Sequence, residues 1–347
     1  MKIGIIDADL MWRPHVNGRR YGNTKADIYP NLCCMKISAY HKAQGDDVDW
    51  YNGIDQYDRV YVSRVFSTTP DRINSIYNAD TIVYGGTGYC ISLLNGKEIY
   101  RIPADKTETL HYGLLTQTRV YSHELPYEVE HIMPDYSLYH MVKDTAYGFL
   151  TRGCPRGCTF CHVALKEGRC SCKVADLCEW WQGQKNIVLQ DPNILACKDA
   201  SELLQQLADS NARVDINQGI DARLMTPEKA MLLDKIKLST IHFAWDRYSE
   251  RDKVLKGLQL FSDHYHRKLD KGHLAQVYVL TNYDTTQEQD LERVYTLRDM
   301  GYEPYIMVYD KAHAAPFYKS LQRWVNMRAI FHKIDHFEDY SRRKSKE

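Results

Sequence analysis

No apolar stretch in this chain approaches the ~18 residues that a membrane-crossing helix needs, so no membrane partner is expected. A surplus of one charge is also lacking, since Lys plus Arg and Asp plus Glu both number 45. A neutral chain has no whole-surface attraction for polyanions, and nucleic acid is not indicated as a partner. Low-complexity tracts are missing too. Together with 44% hydrophobic and 26% charged residues, this excludes a disordered polymer and describes an ordinary globular protein. The opening MKIGIIDADLMWRP has a short apolar run closed by Asp7 and Asp9, where a secretory leader carries a longer apolar core and a small-residue cleavage site. A cytoplasmic location is therefore expected. The one charge run, Arg342, Arg343, Lys344 and Lys346, reads as a solvated, frayed tail over 331–347.

Cysteine is what the chain does have. Ten cysteines without a leader are better explained as reduced thiols, several of them metal ligands, than as a disulfide framework. At 347 residues the chain exceeds one comfortable core, and two domains are expected.

The first 95 residues read as alternating strands and helices. Strands are predicted at Lys2 to Asp7, Asp47 to Tyr51, Arg59 to Ser63 and Thr81 to Tyr84, with helices at Asn31 to Ala43 and Pro70 to Tyr77. Right-handed crossovers then give a small flavodoxin-like, Rossmann-like doubly wound α/β domain. Gly85 and Gly86 follow the last of these strands, as a close approach to a ligand or a tight turn would require. Across 96–143 the periodicity weakens and Pro, Tyr and His accumulate, which predicts an irregular connector.

From 144 to 330 six strand-then-helix units can be counted. The strands are Ala146 to Leu150, Asn186 to Gln190, Arg213 to Asn217, Thr240 to Trp245, Gln276 to Thr281 and Pro304 to Tyr309. The helices are Lys173 to Trp181, Ala200 to Asp209, Pro227 to Ile236, Ser249 to Leu269, Gln287 to Met300 and Pro316 to Met327. Thr226 before Pro227, Asp199 before Ala200 and Gly301 after Met300 are fitting caps and stops. A closed barrel takes eight such units, so six predict an open, partial TIM-like (β/α)6 barrel with its functional groups at the carboxyl ends of the strands.

At the end of the first of these strands stands Gly148-Phe-Leu-Thr-Arg-Gly-Cys154-Pro-Arg-Gly-Cys158-Thr-Phe160-Cys161. Gly153, Pro155 and Gly157 keep this loop out of a helix and let its thiolates surround one centre. A structural zinc site is closed by four ligands, whereas three leave a position open for a substrate. A non-catalytic zinc or other metal-binding module remains the competing class, with Cys170 as a candidate fourth thiolate.

CxxxCx(aromatic)C after the first strand of a partial βα barrel resembles the radical S-adenosylmethionine superfamily. The resemblance implies that Cys154, Cys158 and Cys161 ligate three irons of a [4Fe-4S] cluster and that Phe160 packs near the adenine. It implies that the fourth iron holds S-adenosylmethionine, which an electron from the cluster cleaves to a 5′-deoxyadenosyl radical. A one-electron reductant such as flavodoxin or ferredoxin is the implied partner, and the substrate is not identified. Members of the family commonly carry a GGE-like turn after the second strand; here Gln190, Asp191, Pro192 and Asn193 replace it. After the third strand, Asn217 or Asp221 is placed to hold ribose hydroxyls and Arg223 to hold a carboxylate by its fork. Asp246 and Arg247 after the fourth strand and Asn282 after the fifth are similarly placed. Cys170, Cys172 and Cys178 are candidates for a second cluster, while Cys197 and Cys90 read as small packed hydrophobes.

An α/β domain ahead of such a barrel resembles the cobalamin-binding class of the superfamily, and the piece Met133-Pro-Asp-Tyr-Ser-Leu-Tyr139 is similar to the joint found there. The DxHxxG stretch that coordinates cobalt appears here as Arg13-Pro-His15-Val-Asn-Gly18, without the aspartate that orients the imidazole. Cobalamin is therefore not expected, although the fold is kept in either case. A methyl- or methylthiotransferase is the rival within the enzyme class. Methylthiotransferases place three widely spaced cysteines in the first domain, where this chain offers only the adjacent Cys33 and Cys34 plus Cys90.

Overall fold

The computed structural model describes residues 1–11, 15–16, 19–20, 29–70, 76–94, 97–101, 106–112, 115–267, 269 and 274–344. The chain divides into two compact units, Met1–Tyr147 with Cys178–Gln184, and Gly148–Leu177 with Lys185–Glu347. The fold is mixed α/β, built on two six-stranded sheets that are mainly parallel.

In the first unit, β1 (Lys2–Asp7) leads to α1 (Leu32–Ala43), β2 (Asp47–Trp50), β3 (Tyr57–Ser63), β4 (Ala79–Gly85), β5 (Lys106–Tyr112) and β6 (Leu115–Tyr121). The sheet order is β2-β1-β3-β4-β6-β5, antiparallel only between β6 and β5. Apolar runs place these strands: Ile3, Ile5, Val60 and Ile82 are all buried, and Tyr57 and Tyr84 complete the packing. Asn31 caps α1 by accepting from Cys34 N at 3.3 Å.

Residues 106–112 and 115–121, expected within an irregular connector, are strands β5 and β6. Their sequences alternate Thr with polar and aromatic residues and lack the apolar core that marks the other strands, and Gln117 and Arg119 are buried on β6. The amide of Gln117 donates to the carbonyls of Ile76 and Ala79, both at 3.1 Å, which makes a buried polar strand affordable. Gly86 serves packing: it has φ +103°, and a Cβ there would collide with the Arg64 carbonyl. The helix expected at Pro70 to Tyr77 lies largely outside the described residues, as do Arg13 and Gly18. His15 is described by its backbone alone, in a two-residue strand with Val16.

The second sheet runs β7 (Thr145–Gly148), β8 (Asn186–Leu189), β9 (Arg213–Ile220), β10 (Leu238–Ala244), β11 (Ala275–Thr281) and β12 (Glu303–Val308), in that order. Pairings from β8 to β12 are all parallel. Among the described residues the sheet does not close into a barrel. Helices α2 (Ala200–Asp209), α3 (Pro227–Lys235), α4 (Arg251–His264), α5 (Gln287–Asp299) and α6 (Pro316–Asn326) connect or follow the strands from β8 onward. Leu203, Leu204 and Leu207 bury one face of α2, at about 1.5–3 kcal/mol each. Thr226 caps α3 by accepting from Lys229 N, and Thr286 with Gln289 forms a capping box on α5.

Two expectations fail here. The helix predicted over Lys173 to Trp181 is replaced by a two-residue strand, Cys172–Lys173, and a single turn at Leu177–Glu179. Cys172–Lys173 pairs antiparallel with Thr151–Arg152, Val174 N donates to Leu150 O at 2.8 Å, and Leu177 N donates to Gln206 Oε1 at 2.9 Å. Those donors are spent outside a helical ladder, so the helix does not form. The tail is not frayed throughout either: α7 (Phe337–Lys344) buries Phe337 and Tyr340, with Phe337 packed on Phe317 and Trp324.

Candidate functional site

The cysteine loop leaves the carboxyl end of β7. Its entry is pinned by Asp191, whose carboxylate accepts from Leu150 N at 2.7 Å, Thr151 N at 2.8 Å and Thr151 Oγ1 at 2.7 Å. Burial pushes this carboxyl up to about 7, against the pull of those three donors. Asp191 is thus a clamp on the loop, and both its oxygens are occupied by that task. Gly153 then turns the chain with φ +84°, packed so closely that a Cβ would collide with the Cys170 carbonyl. Cys154 N donates to Gly168 O at 3.1 Å, and Gly153 N donates to Glu167 Oε2 at 3.2 Å. The return stretch of the loop therefore forms its floor.

Cys154, Cys158 and Cys161 are all half-buried and free of disulfides. Burial raises the Cys158 thiol, and Asp246 and the other two loop thiols add to the effect. Cys161 is likewise raised, chiefly by burial and further by Cys154, Asp246 and Glu167, while a backbone bond at Val163 opposes. Cys158 and Cys161 thus share one electrostatic environment with Asp246, which follows β10 and is itself pushed up to about 6 by burial. Among the described residues, no three His, Cys, Asp or Glu side chains gather closely enough to hold a metal ion as they stand.

Asn193, buried after β8, reaches the loop: its Nδ2 donates to Cys154 Sγ at 3.6 Å. Its Oδ1 is fully buried without a hydrogen-bond partner. An orphaned acceptor beside a thiol is costly unless a donor arrives with a ligand. Asp221, after β9, accepts from Arg156 Nε and Arg223 Nε, both at 2.6 Å. Burial alone would raise it, but the two guanidiniums hold it below the ordinary carboxylate range. Arg223 also pairs with Glu250. The Asp221–Arg156 bond ties the third strand's end to the middle of the cysteine loop. Phe160 stands edge-on to Tyr283, ring centroids 5.2 Å apart, and Thr159 is hydrogen-bonded to the Tyr283 hydroxyl.

The sequence-chosen residues thus separate into groups. Cys154, Cys158, Cys161, Asn193, Asp246 and Arg247 share one neighbourhood, with Asp221 and Arg223 joined to it through Arg156. Gln190 ties β8 to β7, its N donating to Gly148 O at 2.9 Å. Asn217 stands within β9, its carbonyl accepting from Tyr278 Oη at 3.2 Å. Asn282, at φ +61°, donates to Tyr309 O at 2.8 Å and so braces the next strand's loop. Cys170 and Cys172 are exposed neighbours with Cys197 nearby, whereas Cys178 belongs to the other compact unit.

Arg156, Tyr283 and Arg293 were not singled out from sequence. Arg156 was legible as the one cation between two of the loop cysteines, and Tyr283 as an aromatic following Asn282. Arg293 lies in mid-helix with no such signal, yet it is fully buried, donating to Trp245 O at 2.6 Å and Leu280 O at 2.7 Å. No protein-family model matches the chain, and no curated protein matches it.

Proposed function

We propose that this chain is a radical S-adenosylmethionine enzyme in which Cys154, Cys158 and Cys161 hold a [4Fe-4S] cluster. The observation that carries the reading is three half-buried, electrostatically coupled thiols on a glycine-shaped loop at the carboxyl end of the first strand of a parallel sheet. The donor set fits the group: three soft thiolates in a confined loop suit a cluster that leaves one iron open. When bound, such a cluster supplies the electron that cleaves S-adenosylmethionine to methionine and the 5′-deoxyadenosyl radical.

The chain's own residues account for binding and shielding. Asn193 steadies the Cys154 sulfur through Nδ2 and turns its unpartnered Oδ1 to accept from an ammonium. Asp221, kept ionised by Arg156 and Arg223, is suited to paired hydroxyls. Phe160 and Tyr283 form an aromatic wall for a flat base. Asp191 and Glu167 fix the loop without touching the ligand.

The strand order β7 to β12, parallel from β8 onward, supports a partial (β/α)6 barrel, with its first helix replaced by the Cys172–Lys173 hairpin. The order β2-β1-β3-β4-β6 is that of flavodoxin-like doubly wound sheets, which supports a cobalamin-type domain without requiring cobalamin. Among the described residues no helix is long and apolar enough to cross a membrane. A cytoplasmic setting with a flavodoxin or ferredoxin as electron donor completes the reading.

Metal and sulfide analysis of protein reconstituted without oxygen tests the cluster. Iron and sulfide should be incorporated together, and Cys158→Ala should lose them. Stoichiometric zinc with no iron-dependent absorbance would replace this reading with a closed zinc module.

A further inference from the structure

The inner face of the second sheet carries a buried polar group that the cysteine site does not use. Between Ile216 and Gly219 the pairing of β9 with β10 slips, so that Asn217 and Gln218 bulge out of register and His242 stands opposite Gly219. Bulges re-aim side chains and concentrate beside functional sites. Here the slip brings the Ile216 carbonyl to His242, whose Nδ1 lies 2.9 Å away. Since a carbonyl only accepts, Nδ1 must carry the hydrogen, and Asp215 lies 4.0 Å from the same nitrogen. In its neutral form the ring then presents Nε2 as a lone-pair acceptor. Among the described residues nothing hydrogen-bonds Nε2, although the residue is only 8% exposed.

The ring is held in place on two further sides. Tyr278 on β11 stacks against it with centroids 5.0 Å apart and planes 13° from parallel. The Tyr278 hydroxyl is anchored on the bulged Asn217 carbonyl. A Cβ at Gly219 would press on Ala244 Cβ at 3.3 Å and meet the Tyr278 ring at ordinary contact distance. Asp215 is fixed by the Thr240 hydroxyl on the neighbouring strand. An imidazole that is buried, fixed in tautomer, braced by an aromatic ring and left with an unspent acceptor is a preorganised recognition group. His242 lies on β10, two residues before the strand ends and four before Asp246.

We propose that His242 Nε2, on a ring braced by Tyr278 and fixed through Nδ1 by the Ile216 carbonyl, is a binding site for the hydrogen-donating end of an organic substrate, a hydroxyl or an amine. An acceptor-only group would meet the Nε2 lone pair with no hydrogen to share and would not be held. The inference does not depend on the cluster or on S-adenosylmethionine, so it stands or falls separately from the function proposed above.

Long-range proton–nitrogen spectra of the full chain with 15N-labelled histidine test it, the His242 signals being assigned by their loss in either His242→Gln or His242→Asn. The free protein should show the Nδ1–H form of His242. D-ribose and ethanolamine, added separately at millimolar concentration, report the hydroxyl and the amine; at least one should shift the Nε2 resonance, and dimethyl sulfoxide, an acceptor only, should not. An Nε2–H form, or an Nε2 signal that neither donor moves, overturns the proposal.

Discussion

Asp191 concentrates the energetics of the cysteine loop in one side chain. Its carboxyl is raised from 3.8 to about 7, so between those values the folded chain holds a proton there that the unfolded chain releases. A carboxyl shifted in this direction stabilises the fold less as pH rises, by roughly 1.4 kcal/mol per pH unit at the steepest. The contribution is greatest below about pH 4 and is fully lost above about pH 7. Thermal midpoints of the native chain and Asp191→Asn, measured across that range, should differ in slope, with the native chain falling more steeply toward pH 7. Parallel slopes would show that Asp191 is ionised throughout.

Elements carry the next level of organisation, and α5 does more than cover the sheet. Arg293, with Asp290 one turn earlier, is wholly buried and bonds to the Trp245 and Leu280 carbonyls at the carboxyl ends of β10 and β11, the strands followed by Asp246 and Asn282. Removing one member of such a pair leaves an uncompensated buried charge and costs about 3–5 kcal/mol. Arg293→Met should therefore lower the unfolding free energy by about that amount in urea titration, and adding Asp290→Asn should recover part of it. A loss below about 1 kcal/mol would mean the carbonyls are satisfied without Arg293.

Most elements were legible because their signals are local. The apolar run of β1, the Thr226-Pro227 start of α3 and the Gly301 stop after α5 each depend on residues within a few positions. Elements set by distant partners were not. β5 and β6 are polar strands that find their hydrogen bonds in each other and in β4, and the missing helix near 173–181 was decided by the pull of Leu150 and Gln206. In the candidate site, the three thiols could be read from spacing alone. Arg156 as the partner of Asp221, and the bulge that aims His242, depend on strands brought side by side by the fold.

At the scale of the whole molecule, the two compact units are not consecutive in sequence. Cys178–Gln184 belongs with the first unit, where Tyr136 Oη donates to Trp180 O at 2.5 Å and His131 pairs with Glu179 at 2.7 Å. A fragment ending at residue 147 lacks those partners. It should unfold at a lower urea midpoint than the same fragment carrying 178–184 on a flexible linker, and equal midpoints would contradict the assignment of that segment.

The proposed chemistry needs one measurement above all. Anaerobically reconstituted protein, reduced with dithionite and given S-adenosylmethionine, should release 5′-deoxyadenosine and methionine, and Cys158→Ala should release neither. A native chain loaded with iron and sulfide that leaves S-adenosylmethionine intact under the same conditions would contradict the proposal.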